Sequence, residues 1–173
     1  MNVSILSKSA VVSVAWLIGA AAVAQAAPAP ASTMAPMLAG TWTLVAADVL
    51  HPDGRREHDF GAAPKGLLMI DAAGRYSLQI FKSERPRFAS GDKSKGTPAE
   101  YEAAVMGSST HFGRVSVDAP AGVITFTSEA ASYPNWEGEK QSRKYTLRGD
   151  ELSYRVAPRP NGDVPISVWR RAN

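Results

Sequence analysis

Apolar and polar residues alternate in short runs along most of this chain, and period two is the signature of half-buried strands. In residues 41–49, Trp42 lies on the same face as Leu44 and Ala46, which predicts a strand with one side turned to a core. His51-Pro52-Asp53-Gly54 then supplies turn residues, and the polar residues 55–60 read as a short exposed strand. Segments 65–71 and 75–81 flank Ala72-Ala73-Gly74 and predict a hairpin, with glycine placed for positive φ. Further strands are predicted at 112–118, 123–128, 140–147 and 152–156, and a last one at 166–171 follows the Pro/Gly-rich loop 158–165. Short strands joined by tight turns predict an all-β protein, an antiparallel sandwich or barrel, and about eight is the number that closes a barrel able to hold one small ligand. Closure of such a barrel would set the first strand beside the last, and a basic residue of Trp169-Arg170-Arg171 near the indole of Trp42.

One segment departs from period two. Thr97 can cap a helix, Pro98 suits its first position, Glu100 completes a capping box and Gly107 can end it. Tyr101, Ala104 and Val105 share a face at helical spacing, which predicts that this short helix lies against the barrel.

The first residues read as an address. Lys8 precedes the apolar, small-residue-rich stretch 10–24, and Ala24-Gln25-Ala26 fits the small-x-small cleavage rule. The expected organisation is a signal peptide at 1–26, an Ala/Pro-rich linker at 27–37 and a barrel domain at 38–173. The 45% hydrophobic content over 173 residues suits one globular domain. There is no cysteine, which removes a lipidated Cys anchor, disulfides, thiolate catalysis and Cys-based metal sites together. No twin-Arg pair precedes the apolar run, so the expectation is general secretion to the periplasm or beyond, with no membrane span after processing. The formal charge of +3 is mild. Its basic residues are scattered rather than striped with aromatics, which argues against a nucleic-acid partner. Nothing in the pattern fixes an oligomeric state.

Candidate chemistry centres on residues 140–147. Ser142, Lys144 and Thr146 form a face for water, so Gln141, Arg143, Tyr145 and Leu147 must turn inward. A buried guanidinium needs acceptors: an acidic group of a ligand, an internal partner such as Glu129, or a water-filled pocket. The inward face of 75–81 stays open between Tyr76, Leu78 and Ile80 and the alternative Ser77, Gln79 and Phe81. Arg85 and Arg87 beside Phe88 could grip an anion or stand solvated. Asn135 and Trp136 could line the mouth or pack a corner. His51 and His58 lack a zinc-enforcing spacing, and His111 is the one histidine suited to acid-base work or haem ligation, against the plainer role of a hydrogen-bonded rim residue. No nucleophile elbow, phosphate-cradling loop or dinucleotide fingerprint is present, and no metal or cofactor is expected.

Gly40-x-Trp42 at the first strand and the basic end of the last resemble the lipocalin superfamily. With Lys65-Gly66-Leu67-Leu68-Met69-Ile70, Arg85-Pro86-Arg87-Phe88, His111-Phe112-Gly113, Pro134-Asn135-Trp136 and Val168-Trp169-Arg170-Arg171, the chain resembles the bacterial and fungal lipocalin-like domain family. The resemblance implies a barrel whose signature residues are Gly40, Trp42, Arg170 and Arg171, the Trp sealing one end under an Arg. Members often carry a His near the position of Thr127 here. The expected function is binding of a small, largely apolar molecule, possibly acidic, by Arg143, Tyr145, Gln141, Arg85, Arg87, Trp136, Asn135 and His111. The alternatives are an isomerase, cyclase or hydrolase using Tyr145 or His111 beside Arg143, and a ligandless envelope module.

The leader makes a direct prediction. Expressed whole in a Gram-negative host, the chain should yield an exported protein whose N-terminal sequence begins at Ala27; an intact Met1 on a cytoplasmic product would refute it.

Overall fold

A computed structural model of the protein describes residues 36–172; the expected signal peptide and nearly all of the expected linker lie outside them. The elements are β1 (Gly40–Leu50), β2 (Arg56–Glu57), β3 (Lys65–Ile70), β4 (Arg75–Phe81), helix α1 (Pro98–Met106), β5 (Ser108–Asp118), β6 (Val123–Ala131), β7 (Lys140–Arg148), β8 (Glu151–Arg155) and β9 (Val164–Arg171). Neighbours pair antiparallel in the order β2-β1-β3-β4-β5-β6-β7-β8-β9, and β1 also pairs with β9. That last pairing closes a ring of eight strands, with the two-residue β2 attached to the outer end of β1. No helix among the described residues is long and apolar enough to cross a membrane.

The register of closure determines which arginine meets the tryptophan. Trp42 stands opposite Arg171 and Leu44 opposite Trp169. Trp169 and Arg171 are two apart and share the inner face, whereas Arg170 turns to solvent. The Arg171 guanidinium lies 4.1 Å from the Trp42 ring centroid. Its Nη1 donates to the Ala39 carbonyl at 2.8 Å and its Nη2 to that of Met37. Trp42 is fully buried and donates Nε1–H to the Leu38 carbonyl at 3.0 Å. Gly40 is needed here: its φ is +133°, and a Cβ would lie 2.9 Å from Arg171 Nη1.

Beyond Leu44 the expected alternation fails. The β1/β9 register slips between Leu44 and Ala46, a bulge that inserts one residue and moves the inward face from Ala46 to Ala47 and Val49. The open question in β4 is settled for Tyr76, Leu78 and Ile80, all buried in a core with Leu68, Ile70, Val115, Val117, Ile124, Phe126, Leu152, Tyr154 and Trp169. β5 begins at Ser108, earlier than the pattern implies, because Gly107 ends the helix directly into the strand.

In α1 the capping box forms as expected: Glu100 N–H donates to Thr97 Oγ1 at 3.3 Å and Thr97 N–H to Glu100 Oε2 at 2.7 Å. Its packing differs from expectation. Tyr101 turns to the preceding loop, edge-on to Phe88 at 5.4 Å, and its hydroxyl donates to the Lys93 carbonyl at 2.9 Å. Val105 and Met106 stay 54% and 67% exposed.

The closed end yields a stability prediction read by urea unfolding. Trp42→Ala should cost about 3–5 kcal/mol as a large core deletion. Arg171→Met should cost about 1–3 kcal/mol, since it strands two carbonyls and removes the stacked cation. Arg170→Met should stay within about 0.5 kcal/mol. Equal losses at 170 and 171 would contradict the register.

Candidate functional site

The end of the barrel away from Trp42 opens into a cavity of about 910 Å³, within the range of about 300–1,000 Å³ usual for small-molecule sites. Phe60, Leu78, Ile80, Val156 and Ile166 give it apolar walls, and Val105 and Met106 of α1 lie at its mouth. Tyr133 and Trp136, from the single turn Pro134–Trp136 between β6 and β7, form another side of the opening.

Arg143 lies in the floor. Strand alternation carries it inward as the sequence implies, and it is 7% exposed. Its guanidinium sits 4.6 Å from the Phe126 ring centroid and 4.9 Å from that of Tyr154, a sandwich that offsets part of the desolvation cost. Nη2 donates to Gln141 Oε1 at 2.6 Å. No carboxylate comes within ion-pair distance of Arg143 among the described residues. Glu129, the internal partner considered from sequence, is exposed and faces Arg75 at 3.7 Å. Arg143 Nε and the Tyr154 hydroxyl are buried without a well-formed hydrogen bond among the described residues, although Trp169, Ser167 and Arg143 stand near enough to that hydroxyl to favour its ionised form; a buried group left unpaired costs about 1–3 kcal/mol. Burial pushes the Tyr154 phenol up, against the pull of the Arg143 charge. Ser167, the cross-strand partner of Tyr154, adds a hydroxyl to the lining.

His111 forms the second polar feature. It is buried, lines the cavity, and packs edge-on to Phe126 at 6.0 Å and to Trp136 at 5.9 Å. Its Nδ1 is 2.7 Å from the Tyr76 hydroxyl, which is 3.3 Å from Ser128 Oγ. Burial, reinforced by the Arg143 charge, lowers the His111 pKa to about 3, so the ring is neutral at ordinary pH. Gly113 makes this packing possible: a Cβ there would lie 2.1 Å from the Thr127 carbonyl oxygen and hold β6 away from β5.

The structure gathers Arg143, Gln141, Trp136 and His111 around one cavity and leaves the other candidates outside it. Tyr145 is half-buried against the core, and its cross-strand partner Tyr154 takes the floor position instead. Arg85 and Arg87 are exposed, Arg85 lying 5.0 Å over the Phe81 ring. Asn135 is exposed on its turn. His51 bridges Asp163 at 2.8 Å and Glu57 at 3.0 Å, and His58 contacts Asp48 at 3.0 Å, so both serve hydrogen bonds that tie loops to the barrel end. Tyr154, Tyr76, Ser128 and Ser167 escape sequence reasoning. The available signal is the pattern Leu152-x-Tyr154 opposite Ser167-x-Trp169, which repeats the alternation of 140–147.

The depressed histidine predicts an acid-sensitive fold. The unfolded ring takes up a proton near pH 6.5 and the folded ring only near 3, so stability is complete above 6.5 and falls as pH drops toward 3. The expected slope from His111 is about 1.4 kcal/mol per pH unit. It should be visible between about pH 6 and 4.5, above the range of most carboxylates. Denaturant unfolding of His111→Gln should show a flatter profile there; an unchanged slope would contradict a neutral buried ring.

No curated protein matches the chain. Among solved structures, a crystal structure of a mutant of the fluorescent protein UnaG matches over 79% of this chain and 96% of that chain, at 14% identity and a TM-score of 0.34. The model of the family described as "lipocalin-like domain" matches residues 39–172. That span holds every strand and the Trp42–Arg171 closure, and the chain belongs to the lipocalin-like domain family.

Proposed function

We propose that the barrel binds a small, largely apolar molecule whose acidic group lies against Arg143. The observation that carries this reading is a buried guanidinium in the cavity floor with, among the described residues, no carboxylate partner and no acceptor for its Nε–H. An anionic oxygen there would complete the arginine's hydrogen bonding and neutralise the charge, while the apolar walls supply affinity at about 25 cal/mol per Å² buried. Lys82 and Lys140 line the opening beside the Arg159–Asp59 ion pair, and the two lysines favour the approach of an anion. The cavity volume supports binding over a ligandless module with a filled interior. The low His111 pKa makes that residue a weak base at neutral pH, which favours binding over catalysis by an isomerase, cyclase or hydrolase. The leader pattern supports export, and with it binding in the periplasm or outside the cell.

The test is displacement of a fluorescent polyene fatty acid from the mature protein by decanoate and by decanol. Decanoate should compete at least about tenfold better, the value of one charged hydrogen bond. Arg143→Met should erase that preference while the variant still folds. Absence of any displaceable binding, or a variant that keeps the preference, would overturn the reading.

A further inference from the structure

We propose that His111 is a second, uncharged recognition point whose Nε2–H accepts no charge but donates to a neutral carbonyl oxygen, so that the ligand class is an oxo-substituted amphipathic acid. This rests on the reading of Arg143 as the site of the acidic group. The Tyr76 hydroxyl has one proton and two neighbours, His111 Nδ1 at 2.7 Å and Ser128 Oγ at 3.3 Å. An O–H donor commonly reaches its acceptor at about 2.7–2.8 Å, and an N–H donor at about 2.9–3.0 Å. The short contact fits an O–H donor, and of the two neighbours the imidazole lone pair is a better acceptor for the phenolic proton than the serine oxygen. Ser128 then donates to the Tyr76 oxygen, and the chain runs Ser128 to Tyr76 to His111. Nδ1 is committed as an acceptor, and in a neutral ring the remaining proton must be on Nε2.

That N–H has no hydrogen-bond partner among the described residues, and His111 lines the cavity. The ring is flanked by Trp136 and Phe126, neither of which offers an acceptor. It lies close enough to Arg143 for the guanidinium to lower its pKa, and Arg143 itself stacks on the same Phe126 ring. A ligand that sets its carboxylate on Arg143 thus brings the adjoining part of its chain past a fixed, neutral donor. A carbonyl oxygen satisfies it; a bare methylene leaves it unpaired, and sites built to hydrogen-bond a ligand group discriminate strongly against analogues lacking it. Tyr76 and Ser128 act through His111 as positioning residues.

Two measurements decide the matter. In the first, decanoate and a positional series of oxo-decanoates compete for the mature protein. At least one isomer should bind about fivefold or more tightly than decanoate, and in His111→Phe no isomer should bind more tightly than decanoate does to the same variant. If decanoate binds through Arg143 and no isomer exceeds it, this inference fails and the reading of Arg143 stands; if none of the acids binds, both fail. In the second, long-range proton–nitrogen NMR of the unaltered protein reads the tautomer. Protonated Nε2 and bare Nδ1 are expected, with Tyr76→Phe mixing the two forms. A proton on Nδ1 in the unaltered protein would overturn the proposal even if the His111 variant failed to fold.

Discussion

The ladder between the first and last strands is the constraint from which the rest of this molecule follows. An open sheet of these strands would leave two edges unpaired and one apolar face without a partner. Pairing β1 with β9 removes both problems and creates an interior. The ladder's end is fastened by side chains as well as backbone, because the register that sets Leu44 against Trp169 also brings Arg171 over Trp42. The two carbonyls that Arg171 engages belong to residues preceding β1, so one guanidinium holds the chain's entry to the barrel and the final strand together.

This concentration of packing at one end bears on what the other end can tolerate. Leu38, Trp42, Leu68, Leu152 and Trp169 are completely buried. By contrast, α1 buries no residue, and the mouth carries exposed Val105, Met106 and Tyr133. Unpartnered polar groups such as Arg143 Nε and the Tyr154 hydroxyl each cost stability. They persist because aromatic rings hold the guanidinium and because the fold's cohesion lies elsewhere. The hydrogen bonds of His51 with Asp163 and Glu57 restrain two loops at the open end without filling it.

Much of this was legible in the alternation of residues, for a physical reason. In 140–147 the residues Ser142, Lys144 and Thr146 can only face water, and that alone turns Arg143 inward. Trp42 and the terminal arginines were legible as a pair through closure, although only the register separates Arg171 from Arg170. Period two cannot foresee a bulge, so it misplaces Ala46 beyond Leu44. It also cannot rank two faces of mixed polarity, which left β4 undecided. Tyr76 was obscured for that reason, although a phenol on an aliphatic face is suited to meet another buried polar group such as His111. The exposed charges of Arg85 and Arg87 illustrate the converse: a basic, aromatic loop reads as a site in sequence, but the ring under Arg85, Phe81, lies outside the cavity lining.

Arg143 also governs the protonation of its surroundings. Burial drives Tyr76 and Tyr154 upward and His111 downward, in each case toward the uncharged form. The guanidinium opposes the first two shifts and reinforces the third, yet burial is the larger cause in all of them. The cavity floor therefore contains one permanent positive charge among neutral hydrogen-bonding groups across ordinary pH. A neutral histidine and two phenols cannot supply a compensating negative charge, and Gln141 offers only a dipole. Asp48 and Asp59 also line the cavity but pair with Arg56 and Arg159, so Arg143 stands in the floor without an ion-pair partner among the described residues, and the proposed acidic ligand rests on that feature more than on the wide apolar wall around it.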